Sequence, residues 1–231
     1  MHPTAMVNAK HFFDTYLDPA HSGYFTIEIG SLIVPNMRGS LREIAPANVE
    51  YVGIDFEAGQ NVDVVLDDPY RLPFENQSVD ICLASSVFEH SEMFWLLFLE
   101  IMRILKPDGL FYLNVPSNGY FHRYPVDCWR FYPDSAEALV TWGKRNSLEP
   151  ALLESYVSAQ SGDVWNDFVA VFVKDRNFAS KYPGRITSRI SDFINARLFG
   201  TNEIVNRRDA PEDLLKLQTI GKIASGNLKI R

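Results

Sequence analysis

"YFTIEIG", residues 24–30, is a run of apolar and β-branched residues that ends on glycine. It reads as a buried strand. A second such run, "VEYVGIDF" (49–56), places Asp55 twenty-five residues after Gly30, at the tip of the next strand. A carboxylate at that place can accept both hydroxyls of a ribose, and it can equally be a strand-end turn acid. The pair alone does not decide between them. The rest of the chain has to be read outward from it.

Strand and helix patterns alternate on both sides. "AKHFFDTYL" (9–17) spaces its apolar residues as a short amphipathic helix before Asp18-Pro19 stops it. "VDVVL" (62–66) is a third strand, and "SVDICLASS" (78–86) a fourth, apolar almost throughout, as a strand covered on both faces requires. "SEMFWLLFLEIMRILK" (91–106) is the clearest helix, with Ser91 as N-cap, Glu92 in the first turn and "PDG" ending it. "LFYLNVPS" (110–117) is a fifth strand. "DSAEALVTWGKRN" (134–146) is a helix with Asp134 as its cap. "ALLESYVS" (151–158) and "VWNDFVAVFVK" (164–174) are two more strands, and their short connection suits an antiparallel strand added at one edge.

This order predicts an α/β fold: a doubly wound, mostly parallel seven-stranded sheet over residues 1–175. Residues 176–231 are expected to form a basic extension with helices near 185–198 and 210–220, packed on the domain or on a second subunit. An apolar fraction of 46% over 231 residues supports a real core. The longest apolar run, "MFWLLFL" (93–99), is too short to span a bilayer. No basic and apolar leader is visible, and Cys82 and Cys128 are the only cysteines, so a reducing, cytoplasmic setting is expected. The net charge of −7 is uneven: residues 1–174 carry 11 basic against 23 acidic side chains, and residues 175–231 carry 11 against 6. The basic residues of the tail are scattered, which favours contact with the acidic domain, or with a second copy in a homodimer, over a nucleic-acid partner.

In the order "IEIGS", "YVGID", "LPFENQSVDICLASSVFEH" and "EIMRILKPDGLFYLNVPS", residues 24–117 resemble the class I S-adenosylmethionine-dependent methyltransferases, in the group related to type 11. The resemblance implies S-adenosylmethionine as cofactor. Glu28, Gly30 and Ser31 would begin the cofactor loop, Asp55 with Phe56 would hold the ribose, Asp68 would face the adenine amino group, and Ser85 and Ser86 would border the sulfonium. This chain departs from the family pattern in two places. "EIGSLIVPNMRGS" has Leu32 and Val34 where later glycines would stand, and Pro69 lacks the backbone N–H that many relatives offer to adenine. Altered cofactor geometry is the expected consequence, since the ribose acid and the rest of the frame are retained.

"FHRYPVDCWRFYPDS" (121–135) follows the fifth strand and has no regular period. It is similar to a P-x-D-x-W-R-F segment of members associated with sugar and surface-glycan pathways, which implies O-methylation of a sugar, a glycan intermediate or another small hydroxylated molecule. A hydroxyl acceptor calls for a base. His122 and His90 are the candidates, each with an ordinary alternative, an exposed loop histidine and a helix-start histidine. Tyr124, Asp127 and Arg130 are the candidate substrate contacts, although Asp127 and Arg130 can instead form an ion pair that fixes the loop. Trp129, Phe131 and Tyr132 are expected as a core plug more than as a platform for a sugar ring. Glu89, His90, His122 and Asp127 include metal-ligating types, but nothing in their spacing demands a metal and none is expected. Three rival functions remain: a nicotinamide-dependent oxidoreductase, for which "GSLIVP" lacks the required glycines, a non-catalytic binding protein that keeps the fold, and nucleic-acid modification, which the acidic domain disfavours.

Overall fold

The computed structural model describes residues 2–34, 39–161 and 164–228. Helix α1 (Pro3–Tyr16) leads into β1 (Tyr24–Ile29), the short α2 (Leu41–Ile44), β2 (Val49–Asp55), β3 (Val64–Val65) and β4 (Val79–Ser85). Then follow α3 (Phe94–Ile104), β5 (Leu105–Pro116), α4 (Ser135–Arg145), β6 (Ala151–Ser158), β7 (Asp167–Val173), β8 (Phe193–Leu198) and α5 (Glu212–Ala224). The strands form one sheet in the order β3-β2-β1-β4-β5-β7-β6-β8. The pairings from β3 to β5 are parallel and those from β5 to β8 antiparallel. The chain leaves β1 towards β2 and β3, then crosses back to β4. That reversal between β1 and β4 is the place where doubly wound folds hold their ligands.

Strand periodicity divides the core in two. Ile27, Cys82, Phe111, Leu113 and Phe172 point to one face, where Leu97, Phe98 and Ile101 of α3 and Leu139 of α4 cover them. Ile81, Leu83, Leu110, Tyr112 and Val171 point to the other, against Phe12, Phe13 and Tyr16 of α1. Successive residues thus serve opposite layers, which explains why these strands are apolar throughout.

The sheet has eight strands where seven were expected, and the added strand lies in the supposed helix at 185–198. Residues Ile186–Ser188 form only a 3₁₀ turn, and β8 pairs antiparallel with β6. Phe193 and Ala196 of β8 are buried, so the segment is held by edge pairing and packing rather than by a helical stripe. The antiparallel strand expected at an edge is β7, and it lies inside the sheet between β5 and β6. Other corrections concern boundaries. α3 begins at Phe94, with no side-chain cap, because residues 88–90 wind into a separate 3₁₀ turn. The helix stops at Ile104, before "PDG", because Leu105 already pairs with Val79 as part of β5. Asp134 makes no capping hydrogen bond to α4 and pairs instead with Arg197.

The basic extension contacts the acidic domain at defined points, through Lys181 with Asp108 (2.6 Å) and Arg197 with Asp134. Its central attachment is Glu154, fully buried on β6. The Glu154 carboxylate accepts from Tyr16 Oη (2.6 Å), Ile186 N (2.6 Å), Thr187 N (3.0 Å) and Thr187 Oγ1 (2.9 Å). Removing the acceptor strands several buried donors at once, each costing about 1–3 kcal/mol. Glu154→Ala is therefore expected to lose about 3 kcal/mol of stability, a fall in melting temperature of roughly 6–12 °C for a chain of this size. A calorimetric melt checks it; a shift below about 2 °C would contradict this account of the buried carboxylate.

Candidate functional site

A cleft of about 540 Å³ opens at the carboxyl ends of β1, β2 and β4. Its floor comes from Glu28–Val34 after β1, Asp55 and Phe56 after β2, and Ser85–Val87 after β4. Close backbone approach at Gly30 demands glycine. Its φ is +73°, and a Cβ there would lie 2.4 Å from Val87 Cγ2. Asp55 is only 6% exposed. Its Oδ2 accepts from Leu32 N (3.0 Å) and its Oδ1 from Glu57 N (3.3 Å), so the carboxylate is held at the strand tip by two loops.

The glycine-poor loop is positioned by other means. Ile33 N donates to Gln60 O (3.1 Å), and Asn61 Nδ2 donates to Ser31 O (2.9 Å). Leu32 packs close to Gly59, where a Cβ would meet its Cδ1 at 2.3 Å. Leu32, Ile33 and Val34 thereby make an apolar wall of the cleft in place of a glycine cradle. Residues 35–38 of the loop lie outside the described residues. Glu28 also lines the cleft; burial raises its carboxyl to about 7, offset in part by neighbours that include Asn61, which donates to Oε2 at 3.2 Å. Ser31 Oγ and Ser85 Oγ are buried, border the cleft and have no hydrogen-bond partner among the described residues. Ser86, at φ +57°, completes the turn out of β4.

The opposite wall comes from the aperiodic segment. Tyr120, His122, Tyr124, Pro125 and Val126 line the cleft. Beyond them the chain is pinned down, since Glu89 O accepts from Cys128 N (2.7 Å) and Trp129 N (3.1 Å), and Pro116 O accepts from Phe131 N (3.0 Å). Phe131 is buried as expected of a plug. Trp129 is 38% exposed and Tyr132 65%, so neither is core. Asp127 and Arg130 form a two-point ion pair, at 2.6 and 2.9 Å, that holds the Asp127 carboxyl at about 2. Asp127 Oδ2 also accepts from His122 N at 2.7 Å, and Arg130 donates to Tyr120 O at 2.8 Å. Neither side chain borders the cleft, and their geometry is that of a loop clamp. Asp68 is not brought to the cleft either. It is exposed, and its Oδ1 accepts from Tyr70 N (2.8 Å), while Leu66, Pro69 and Tyr70 form that end of the wall.

The two histidines converge from separate segments. Their rings meet edge to face, with centroids 4.9 Å apart. Beside them Glu89 is only 1% exposed, and burial raises its carboxyl to about 8. Burial lowers His90, an effect partly offset by the hydrogen bond between its Nδ1 and Val126 O. Trp165 is a cleft residue that sequence reasoning missed. It packs on Tyr120 and His122, and a Cβ on Gly119 would fall 1.8 Å from its ring. Its strand-like surroundings gave no sign of the site. His2, also in the wall, arrives because α1 begins at Pro3, six residues earlier than its amphipathic pattern.

Residues 33–113 match the type 11 family model, described as a methyltransferase domain. Over that stretch, about a third of its length, the chain is similar to a methyltransferase domain. An uncharacterized methyltransferase of Mycobacterium avium (strain 104) is 37% identical over 81 residues, which are 30% of this chain and 32% of that protein. The domain thus aligns with about a third of the length of that relative. Among solved structures, the 1,6-didemethyltoxoflavin-N1-methyltransferase of Burkholderia thailandensis, with bound 1,6-didemethyltoxoflavin and S-adenosylhomocysteine, has a TM-score of 0.55. It is 14% identical, over 74% of this chain and 78% of that one. The [4+2]-cyclase SpnF has a TM-score of 0.51 at 14% identity, over 74% and 81% of the two chains. The methyltransferase-domain fold is therefore shared with a protein named for a different reaction, so the acceptor side of the cleft has to be argued from its own residues.

Proposed function

We propose that the chain is an S-adenosylmethionine-dependent methyltransferase acting on a hydroxyl of a sugar, a glycan intermediate or another small hydroxylated molecule. The observation that carries the reading is the carboxylate of Asp55, held at the tip of β2 on a cleft at the β1/β4 reversal. The residues present fit the cofactor. Asp55 can accept from the ribose hydroxyls, the unpartnered Ser31 Oγ and Ser85 Oγ offer polar contacts, and Leu66, Pro69 and Tyr70 form a largely apolar wall for the base. When bound, S-adenosylmethionine supplies a methyl group on a positively charged sulfur. The chain's own task is to hold the acceptor in line, which can contribute up to roughly 7–11 kcal/mol, and to remove its proton.

The second task falls to the Glu89, His90 and His122 group, which faces the cleft from both walls. Tyr124 and Trp165, beside it, offer aromatic faces and polar edges suited to a hydroxylated ring. Among the described residues no helix is long and apolar enough to cross a membrane. A homodimer through the extension would use α5, whose Leu217 and Ile220 are exposed.

Titration calorimetry with S-adenosylmethionine and with its demethylated product tests the reading. Binding of both in the micromolar range is the expected result, corresponding to about −8 kcal/mol. A folded chain that binds neither would overturn the enzyme reading and favour a binding protein that keeps the fold.

A further inference from the structure

The convergence of Glu89, His90 and His122 carries a second inference. Each offers one ligand atom, and these atoms lie within 4.8 Å of one another. The set combines two imidazoles with one carboxylate. Glu89 Oε2 is buried and has no hydrogen-bond partner among the described residues. Its Oε1 lies 3.8 Å from His90 Nε2. A buried carboxyl oxygen without a hydrogen-bond partner is costly, and a cation that takes the place of the carboxyl proton would satisfy it.

The second sphere is arranged for the same purpose. His90 Nδ1 lies 2.5 Å from Val126 O, so its N–H is directed to a carbonyl and Nε2 keeps its lone pair. His122 Nδ1 faces Tyr120 O at 3.3 Å and Asp127 Oδ2 at 3.5 Å. That leaves its Nε2 as the candidate ligand atom. Metal-bound histidines characteristically give their other N–H to a carbonyl or a carboxylate, which fixes ring orientation. Asp127 is itself locked by Arg130, so the support is rigid.

We propose that Glu89, His90 and His122 bind a divalent first-row transition metal ion of the Zn²⁺, Co²⁺ or Mn²⁺ class. Two nitrogens and one oxygen suit these ions better than Ca²⁺ or Mg²⁺, which prefer all-oxygen shells. Bonds of about 2.1 Å need ligand atoms roughly 3–3.4 Å apart, so binding draws the set together by up to about 1.8 Å. His122, whose side chain is 32% exposed, is the ligand that shifts on binding. Three protein ligands leave at least one coordination position open to the cleft.

On the methyl-transfer reading above, which this consequence rests on, that position takes the acceptor hydroxyl. The oxygen then releases its proton to water and becomes a better nucleophile, as metal-bound water does. The histidines would act as ligands, and the ion rather than a free imidazole would acidify the hydroxyl.

The test uses the full chain without an affinity tag, titrated with CoCl₂ and followed by visible ligand-field absorption. One equivalent of tightly bound Co²⁺ is expected, displaced by Zn²⁺. Glu89→Gln and His122→Ala should each weaken it about 100-fold or more, with circular dichroism unchanged, since even supporting residues cost 10–100-fold. No Co²⁺ or Zn²⁺ binding, or equal binding in both folded variants, overturns the site. Calorimetry with S-adenosylmethionine is run separately on the same samples. Metal binding without cofactor binding upholds the site and removes only the methyl-transfer reading.

Discussion

Asp55→Ala is expected to lower the affinity for S-adenosylmethionine at least about 100-fold, a loss near 2.7 kcal/mol. A ribose hydroxyl donating to a mostly buried carboxylate is a charge-assisted hydrogen bond, worth about 1.5–3 kcal/mol. Two such bonds can form, so about 2.7 kcal/mol, just below their combined range, is set as the minimum loss. The chain should stay folded. Among the described residues the Asp55 side chain accepts only from Leu32 N and Glu57 N at the cleft rim, while the β2 core residue Ile54 is untouched. Asp55→Asn separates charge from shape. It can still accept from the Leu32 N–H through its carbonyl oxygen, and an intermediate loss is expected. Calorimetry of both variants, with melting curves as the fold control, checks the assignment. Wild-type affinity in a folded Asp55→Ala chain would remove Asp55 from the cofactor site.

The strand-end side of the cleft was largely legible in the sequence, for a physical reason. Strands buried on both faces must be apolar throughout, so "YFTIEIG", "VEYVGIDF" and "SVDICLASS" announce themselves. Parallel connection then sends their carboxyl ends to one side, and Gly30, Asp55 and Ser85 meet there without any long-range information. Asp68 shows the limit of that logic. Its place before "LPF" suggested a cleft residue, but an exposed turn in which its side chain caps Tyr70 N claims it first.

The C-terminal half was less readable because it depends on distant partners. "DFINARL" carries no helical stripe and only a weak alternation, and it becomes β8 because the β6 edge is there to receive it. Glu154 would be an unremarkable acid in a strand without Tyr16, Ile186 and Thr187 around it. Trp165 reaches the cleft through contact with Gly119, a pairing 46 residues apart that no local pattern encodes. The opposite wall of the cleft followed the same rule. The sequence supplied the residue types His90, His122 and Asp127, but only the folded segment separates the cleft-facing His122 from the Asp127–Arg130 clamp behind it.

His122→Ala should have the largest effect on turnover, a fall in kcat of roughly 10²–10⁴ with cofactor affinity changed less than about threefold. Cofactor affinity is spared because the groups assigned to it lie on the β1, β2 and β4 side of the cleft, while His122 belongs to the opposite wall. The fold is spared because Phe131, Glu89 O and Pro116 O continue to anchor the segment without the imidazole. The measurement is methyl incorporation from labelled S-adenosylmethionine into a panel of hydroxylated sugars, alongside calorimetry. A normal rate in the variant would refute any role for His122 in removing the acceptor proton. The same assay tells the two forms of that role apart. A free imidazole base is indifferent to a chelator and is rescued in part by added imidazole. A metal ligand loses turnover to a chelator in the unmodified enzyme, recovers it with Zn²⁺ or Mn²⁺, and shows the same sensitivity to Glu89→Gln, which keeps the size of the buried side chain and removes its charge.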